Sequence, residues 1–181
     1  MKYGMILTFS ILLWLGLPVG QSMLFESDSS GSNTAKNWHN SVYAFAQDSA
    51  LIDPSPDFSP EQVVEIQLLG LKLTKGDSGS VEMQQVWRFA HPDNKRMTGP
   101  LPRFARLFDL PAYRPLLGHV SHEIVRLAER DDLVQLQVQI TALDNQAYLY
   151  SWIVGKVENG PDEGSWMTMS VSAPRGGGQQ S

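Results

Sequence analysis

Several groupings of side chains in this chain could do chemistry. His119, His122 and Glu123 bring metal-ligating and proton-transferring groups close together in sequence. Successive side chains of an extended strand point to opposite faces, so as strand residues His119 and His122 could not share an ion. Pocket-edge or solvent histidines are the plainer reading. Together with Asp109, His119 and Glu123 are the first candidates for general acid–base work.

Gly76-Asp77-Ser78-Gly79 spells the nucleophile loop of trypsin-like proteases. That chemistry needs a histidine and an aspartate upstream on two β-barrels. The only upstream histidine is His39, and a helical pattern precedes the loop, so a polar turn fits better. His91-Pro92-Asp93 matches the J-domain tripeptide, but Glu82–Trp87 before it is acidic to neutral where that module needs lysines. A proline helix stop is the simpler reading. Asp131-Asp132 and Asp162-Glu163 sit at expected turns, as solvated charges rather than a catalytic acid pair.

Composition excludes more than it assigns. The chain has 181 residues, 14 Lys plus Arg against 19 Asp plus Glu, and no cysteine. Disulfides, thiolate zinc sites, iron–sulfur clusters and cysteine nucleophiles are thereby removed. No basic run exceeds Lys95-Arg96, so there is no electrostatic footprint for nucleic acid. No motif points to a cofactor. Apolar residues at 42% suffice for a core, and the length suits one domain with appendages.

Lys2, the apolar stretch Met5–Leu17 and the small residues of Gly20-Gln21-Ser22 are the parts of a secretory signal peptide, cut after Ser22. The alternative is a membrane anchor left in place, although the run is shorter than the roughly 20 residues that cross a bilayer. Residues 23–57 read as a flexible leader, with Trp38, Val42, Phe45 and Ser49 at helical spacing over 38–51. The domain is expected over 58–173, and 174–181 as a disordered tail.

The elements that must position the candidates begin at Ser59. It is an N-cap with Pro60 at the first helical position and Gln62 closing a capping box. Phe58 and Val63 form a hydrophobic staple, and Gly76 is the expected C-terminal stop. Val63, Ile66, Leu69 or Gly70, and Leu73 mark the inward stripe. A second helix is predicted over 81–90, ended by Pro92, and a third over 101–110, ended by Pro111. After Gly118 the period becomes two, with Ile124–Ala128 as a first strand. Val134, Leu136, Val138 and Ile140 then alternate with Gln135, Gln137, Gln139 and Thr141. A two-residue turn at Asp144-Asn145 would set Leu136 opposite Ile153, Val138 opposite Ser151 and Ile140 opposite Leu149. That register gives one aliphatic face and one face of glutamines with Tyr148, Tyr150 and Trp152. A last strand is expected over 166–171.

Helices followed by an antiparallel meander predict an α+β domain with helices packed on one sheet face. The chain also resembles a family of nuclear transport factor 2-like (cystatin-like) α+β domains. The resemblance spans Ser59–Ser172. It rests on Trp87-Arg88-Phe89-Ala90-His91-Pro92, on Thr98-Gly99-Pro100-Leu101-Pro102-Arg103-Phe104-Ala105, on Tyr113-Arg114-Pro115-Leu116-Leu117-Gly118-His119, and on Tyr150-Ser151-Trp152 with Trp166. His91 stands where the family pattern has serine. The resemblance implies a cone-shaped domain with a curved sheet, and it carries over no activity and no catalytic residue.

The expected function is thus an exported module binding a small apolar ligand or a protein partner. Trp87, Phe104 and Tyr113 are expected to line the cleft, and Tyr148, Tyr150, Trp152, Gln137 and Gln139 to form a ligand or partner face. The alternatives are proton-transfer catalysis by His119, Asp109 or Glu123 in the cleft, and a purely structural homodimer. No stable membrane span is expected after signal removal. Intact-mass analysis of the exported protein should find its first residue at or near Met23. Recovery of all 181 residues in a soluble cytoplasmic fraction would overturn that expectation.

Overall fold

A computed structural model describes residues 50–176. The signal-peptide reading of 1–22 and all but the end of the leader and of the 38–51 helix lie outside the described residues. The domain has α+β architecture. The helices are α1 (Pro60–Leu73), α2 (Val81–Arg88), α3 (Pro92–Thr98) and α4 (Leu101–Ala105), followed by 3-10 turns at Arg106–Asp109 and Arg114–Leu116. The strands are β1 (Ser121–Arg130), β2 (Leu133–Thr141), β3 (Ala147–Lys156), β4 (Trp166–Val171) and the short β5 (Arg175–Gly176). They form an antiparallel sheet in the order β1-β2-β3-β4, with β5 also pairing to β3. Among the described residues no helix is long and apolar enough to cross a membrane.

Helix α1 starts as its sequence dictates. Gln62 N donates to Ser59 Oγ at 3.2 Å, and Ser59 N donates to Gln62 Oε1 at 2.8 Å. Such a cap contributes about 1 kcal/mol. The helix ends earlier than expected: Thr74 is the C-cap, Leu73 is 46% exposed, and Gly76 (φ 93°) serves the following loop. At Gly70 an added Cβ would meet Glu82 O and Val86 Cγ2, both at 2.9 Å, so α1 and α2 approach there at backbone distance. Helix α2 ends at Arg88, and Ala90 pairs with Thr168 of β4. Pro92 does more than stop α2. It occupies the first turn of α3, and His91 caps that helix by accepting from Asp93 N through Nδ1 at 3.2 Å. The helix expected over 101–110 is α4 followed by a 3-10 turn.

The structured region also begins before Phe58. Ile52 is buried, its N–H donates to Gln85 Oε1 at 2.7 Å, and its carbonyl accepts from Gln85 Nε2 at 3.0 Å. At the other end Arg175 pairs with Leu149, so the expected tail starts as a strand.

The β2–β3 register corrects the sequence reading. The loop is one residue longer than a two-residue turn. Asn145 N donates to Ala142 O at 3.0 Å, Ala142 N donates to Gln146 O at 3.0 Å, and Asn145 takes φ 61°. This is the three-residue hairpin loop that ends in a left-handed residue. Leu136 therefore faces Trp152, Val138 faces Tyr150 and Ile140 faces Tyr148. A one-residue slip exchanges the faces of a strand. Tyr150 and Trp152, 1% and 2% exposed, lie in the core beside Val134, Leu136, Val138 and Ile140. Gln135, Gln137 and Gln139 oppose Ile153, Ser151 and Leu149 on the other face. Among the described residues the glutamines of β2 do not share a face with Tyr148, Tyr150 and Trp152.

This register has a direct test. Trp152→Glu should unfold the domain, because truncating a buried tryptophan alone costs about 3–5 kcal/mol. Ile153→Glu, on the opposite face, should cost about 1 kcal/mol in chemical denaturation. The reverse ranking would restore the hairpin with a two-residue turn.

Candidate functional site

The helices cover the sheet face that carries Trp152, and a cleft of about 340 Å³ remains between them. Its floor comes from three elements. Trp152 on β3 donates from Nε1 to Thr168 Oγ1 on β4 at 3.0 Å, and Thr168 donates to Gln67 Oε1 on α1 at 2.6 Å. Gln67 Nε2 in turn donates to Val86 O on α2 at 2.9 Å. All three side chains are buried, so each bond answers a group that would otherwise be stranded away from water. Among the described residues no buried side-chain nitrogen or oxygen lacks a partner.

The walls are apolar: Leu71 from α1, Phe104 from α4, Leu107 and Phe108 from the first 3-10 turn, and Leu116 from the second. Phe104 and Phe108 meet edge to face at 5.5 Å between centroids. Met97, Asn94 and Thr98 of α3 form the remaining side. There too the polar groups serve one another. Thr98 Oγ1 donates toward Asn94 O at 2.8 Å, and Asn94 Nδ2 donates to Thr168 O at 3.1 Å. Tyr113 lines the cleft and donates to Val171 O at 3.2 Å. The cavity thus offers apolar surface and few unengaged donors.

Of the residues expected to line a cleft, Phe104 and Tyr113 do. Trp87 does not. It stands behind Phe104, with ring centroids 4.9 Å apart, and Lys95 Nζ lies 5.8 Å from its centroid. Burial holds the Lys95 amine below its ordinary value. Trp152 belongs to the cleft floor, whereas Tyr150 is sealed in the core. Its hydroxyl donates to Ala112 O at 3.0 Å, and burial pushes it well above the ordinary tyrosine value. Tyr148 is half-buried, with its hydroxyl 3.2 Å from Asp144 Oδ2. Gln137 and Gln139 lie on the far side of the sheet.

The acid–base candidates are not brought together in the cleft. Asp109 and Glu123 are exposed, and the titratable groups lining the cavity are Asp93 and Tyr113. His119 is buried, 1% exposed, in a different constellation. It precedes β1 by two residues, in a stretch where Gly118 takes φ 64°, so strand alternation does not govern it. His119 and His122 therefore meet, contrary to the opposite-face expectation, with His119 Nε2 and His122 Nδ1 2.9 Å apart. His122 Nε2 is 2.9 Å from Glu65 Oε2 on α1, and His119 Nδ1 is 2.8 Å from Leu116 O. The His122 contact holds the Glu65 carboxyl below its ordinary value, and burial holds the His119 imidazole below its own. With the facing nitrogens bonded to each other, no ion fits between the rings. Among the described residues no group of three or more His, Asp or Glu could hold a metal ion.

Sequence reasoning missed Gln67, Thr168 and Glu65. Gln67 sits four residues after Val63 on the inward stripe, and that misplaced polar residue was the available signal.

No protein-family model, no curated protein and no solved structure matches this chain.

The floor network carries its own test. Thr168→Val keeps the shape but strands Trp152 Nε1 and Gln67 Oε1, and should cost about 2 kcal/mol in urea denaturation. Thr168→Ser keeps the hydroxyl and should recover most of that loss. Equal stability of the valine variant and the native protein would show that the three groups are not coupled.

Proposed function

We propose that this protein is an exported, ligand-binding domain of the nuclear transport factor 2-like cone type, whose cleft holds a compact, neutral, ring-bearing hydrophobe. The observation that carries the reading is the cleft of about 340 Å³, whose polar floor is already hydrogen-bonded within the protein. A dry apolar cavity of about 150 Å³ takes up benzene, so this one has room for about two such rings. Phe104, Phe108 and Trp152 present aromatic surface to that volume, and aromatic pairs gain beyond simple area burial. A charged or strongly hydrogen-bonding ligand would lose its hydration here without replacement. The signal-peptide pattern of Lys2, Met5–Leu17 and Gly20-Gln21-Ser22 supports export.

A second reading, a structural homodimer, draws support from the uncovered sheet face. Val125, Leu127 and Leu133 are exposed, with Leu149 and Ile153 half-buried. That face now carries aliphatic side chains and glutamines in place of aromatics.

The neutral fluorescent probe N-phenyl-1-naphthylamine should bind with a rise in emission and with energy transfer from Trp152. Leu107→Trp, which fills the cleft from its wall, should weaken binding at least about tenfold while leaving the thermal transition cooperative. Equal binding by the variant would place the probe elsewhere and remove the cleft reading.

A further inference from the structure

The contacts of Glu65, His122 and His119 form one continuous chain across three parts of the fold. Glu65 belongs to α1, His122 to β1, and His119 to the connector that carries Leu116. The atoms at its two ends decide how many protons it holds. A backbone carbonyl only accepts, so His119 Nδ1 carries a hydrogen and donates to Leu116 O. If His119 is neutral, its Nε2 is then an acceptor, and His122 Nδ1 must donate to it. The remaining contact, from His122 Nε2 to the Glu65 carboxylate, needs another hydrogen on His122. Three hydrogen bonds thus require three protons, and two neutral imidazoles supply two. The complete chain contains neutral His119, an imidazolium at His122 and a Glu65 carboxylate.

None of the three side chains lines the cleft, but the segments they join do. Leu116 and, from α1, Gln67 and Leu71 line it. Gly118 N donates to Leu71 O at 3.0 Å, and Lys72 Nζ donates to Val120 O at 2.8 Å, along the same junction. One turn earlier on α1, Glu61 receives both Arg126 Nε and Nη2, at 2.6 and 2.7 Å. The charged groups facing the relay are therefore Lys72 and Glu61 from α1 and Arg126 from β1. None of them hydrogen-bonds to a relay atom, and Glu61, like Glu65, is held below its ordinary 4.5 by its partner, Arg126.

We infer that Glu65, His122 and His119 form a proton-counting latch that holds α1 to the Leu116 connector and makes ligand retention in the cleft acid-sensitive. The inference rests on the ligand-binding reading. A fourth proton has two places to go. On His119 Nε2 it sets two N–H groups against each other, and on Glu65 it removes the ion pair. Both groups have folded-state values below their ordinary 6.5 and 4.5. Their contribution is therefore complete above those ordinary values and is lost as pH falls through the lower folded ones. The two titrations act in the same direction, and acid opens the latch. Gly118 N–Leu71 O is a backbone bond with no proton to gain or lose, so the junction loosens without the domain coming apart.

Glu65→Gln isolates the device, because an amide can either donate to a neutral His122 or accept from a charged one. The relay then closes with two imidazole protons and stays closed with a third. On the full chain, nitrogen-15 shifts of the closed relay should report hydrogen on His119 Nδ1 alone and on both nitrogens of His122. Affinity for N-phenyl-1-naphthylamine should fall about tenfold as the pH drops from 6.5 past 4.5. In Glu65→Gln the midpoint of that fall should move at least roughly half a pH unit lower, with neutral-pH affinity unchanged. Probe binding with no acid dependence, or with the same dependence in Glu65→Gln, would overturn the latch and leave the cleft reading standing. Correct histidine tautomers with no probe binding at any pH would overturn the cleft reading and, with it, the latch's role in retention.

Discussion

The position of the left-handed residue Asn145 sets the arrangement on which the rest of the domain depends. By closing a three-residue loop it pairs Leu136 with Trp152 and Val138 with Tyr150. Two large aromatic rings then enter the space between sheet and helices. A buried indole requires a partner for its N–H, and Thr168 supplies the hydroxyl that passes the demand to Gln67. Gln67 in turn reaches the backbone of α2. The register of one hairpin thus decides which side chains join the sheet to both long helices.

Around this floor the fold uses polar seams to join surfaces that apolar packing alone would leave free to slide. Gln85 holds both backbone groups of Ile52, which fixes the chain before α1. Along the other edge, Glu61–Arg126, Glu65–His122 and Lys72–Val120 O tie α1 to β1 and the residue before it. The strand at that edge is otherwise exposed, with a register shift between Arg126 and Ala128. A bulge and charged side chains blunt an edge against pairing with another chain. The exposed Glu61–Arg126 pair contributes little to stability and sets position more than it supplies energy.

The cleft is bounded by short helical pieces. Helix α3 and α4 are each under three turns, and the chain then bends through two 3-10 segments. Phe104, Phe108 and Leu116 project from successive pieces of this path toward Trp152 without filling the space before it. Apolar walls over a satisfied polar floor make a volume that water gains little by entering. Recognition there rests on shape and hydrophobic burial more than on directed bonds.

Local signals were legible in the sequence wherever the cause lies within a few residues. The Ser59–Gln62 cap, the breaks at the prolines, the glutamine–aliphatic alternation of β2 and the α+β order can all be read that way. Phe104 and Tyr113 line the cleft, but nothing in their spacing marked them for it. The faces of β3 could not be read, because they depend on whether the loop before it holds two residues or three, and both loops suit Asp144-Asn145. The contacts that make the sites were hidden for a different reason. Thr168 meets Gln67 across 101 residues, and His122 meets Glu65 across 57. The chain alone determined which residues cap, turn and alternate, because those choices are settled by nearest neighbours. Only the tertiary structure decided that two histidines share a proton and that a tryptophan forms a floor, because packing sets which distant polar groups must satisfy one another.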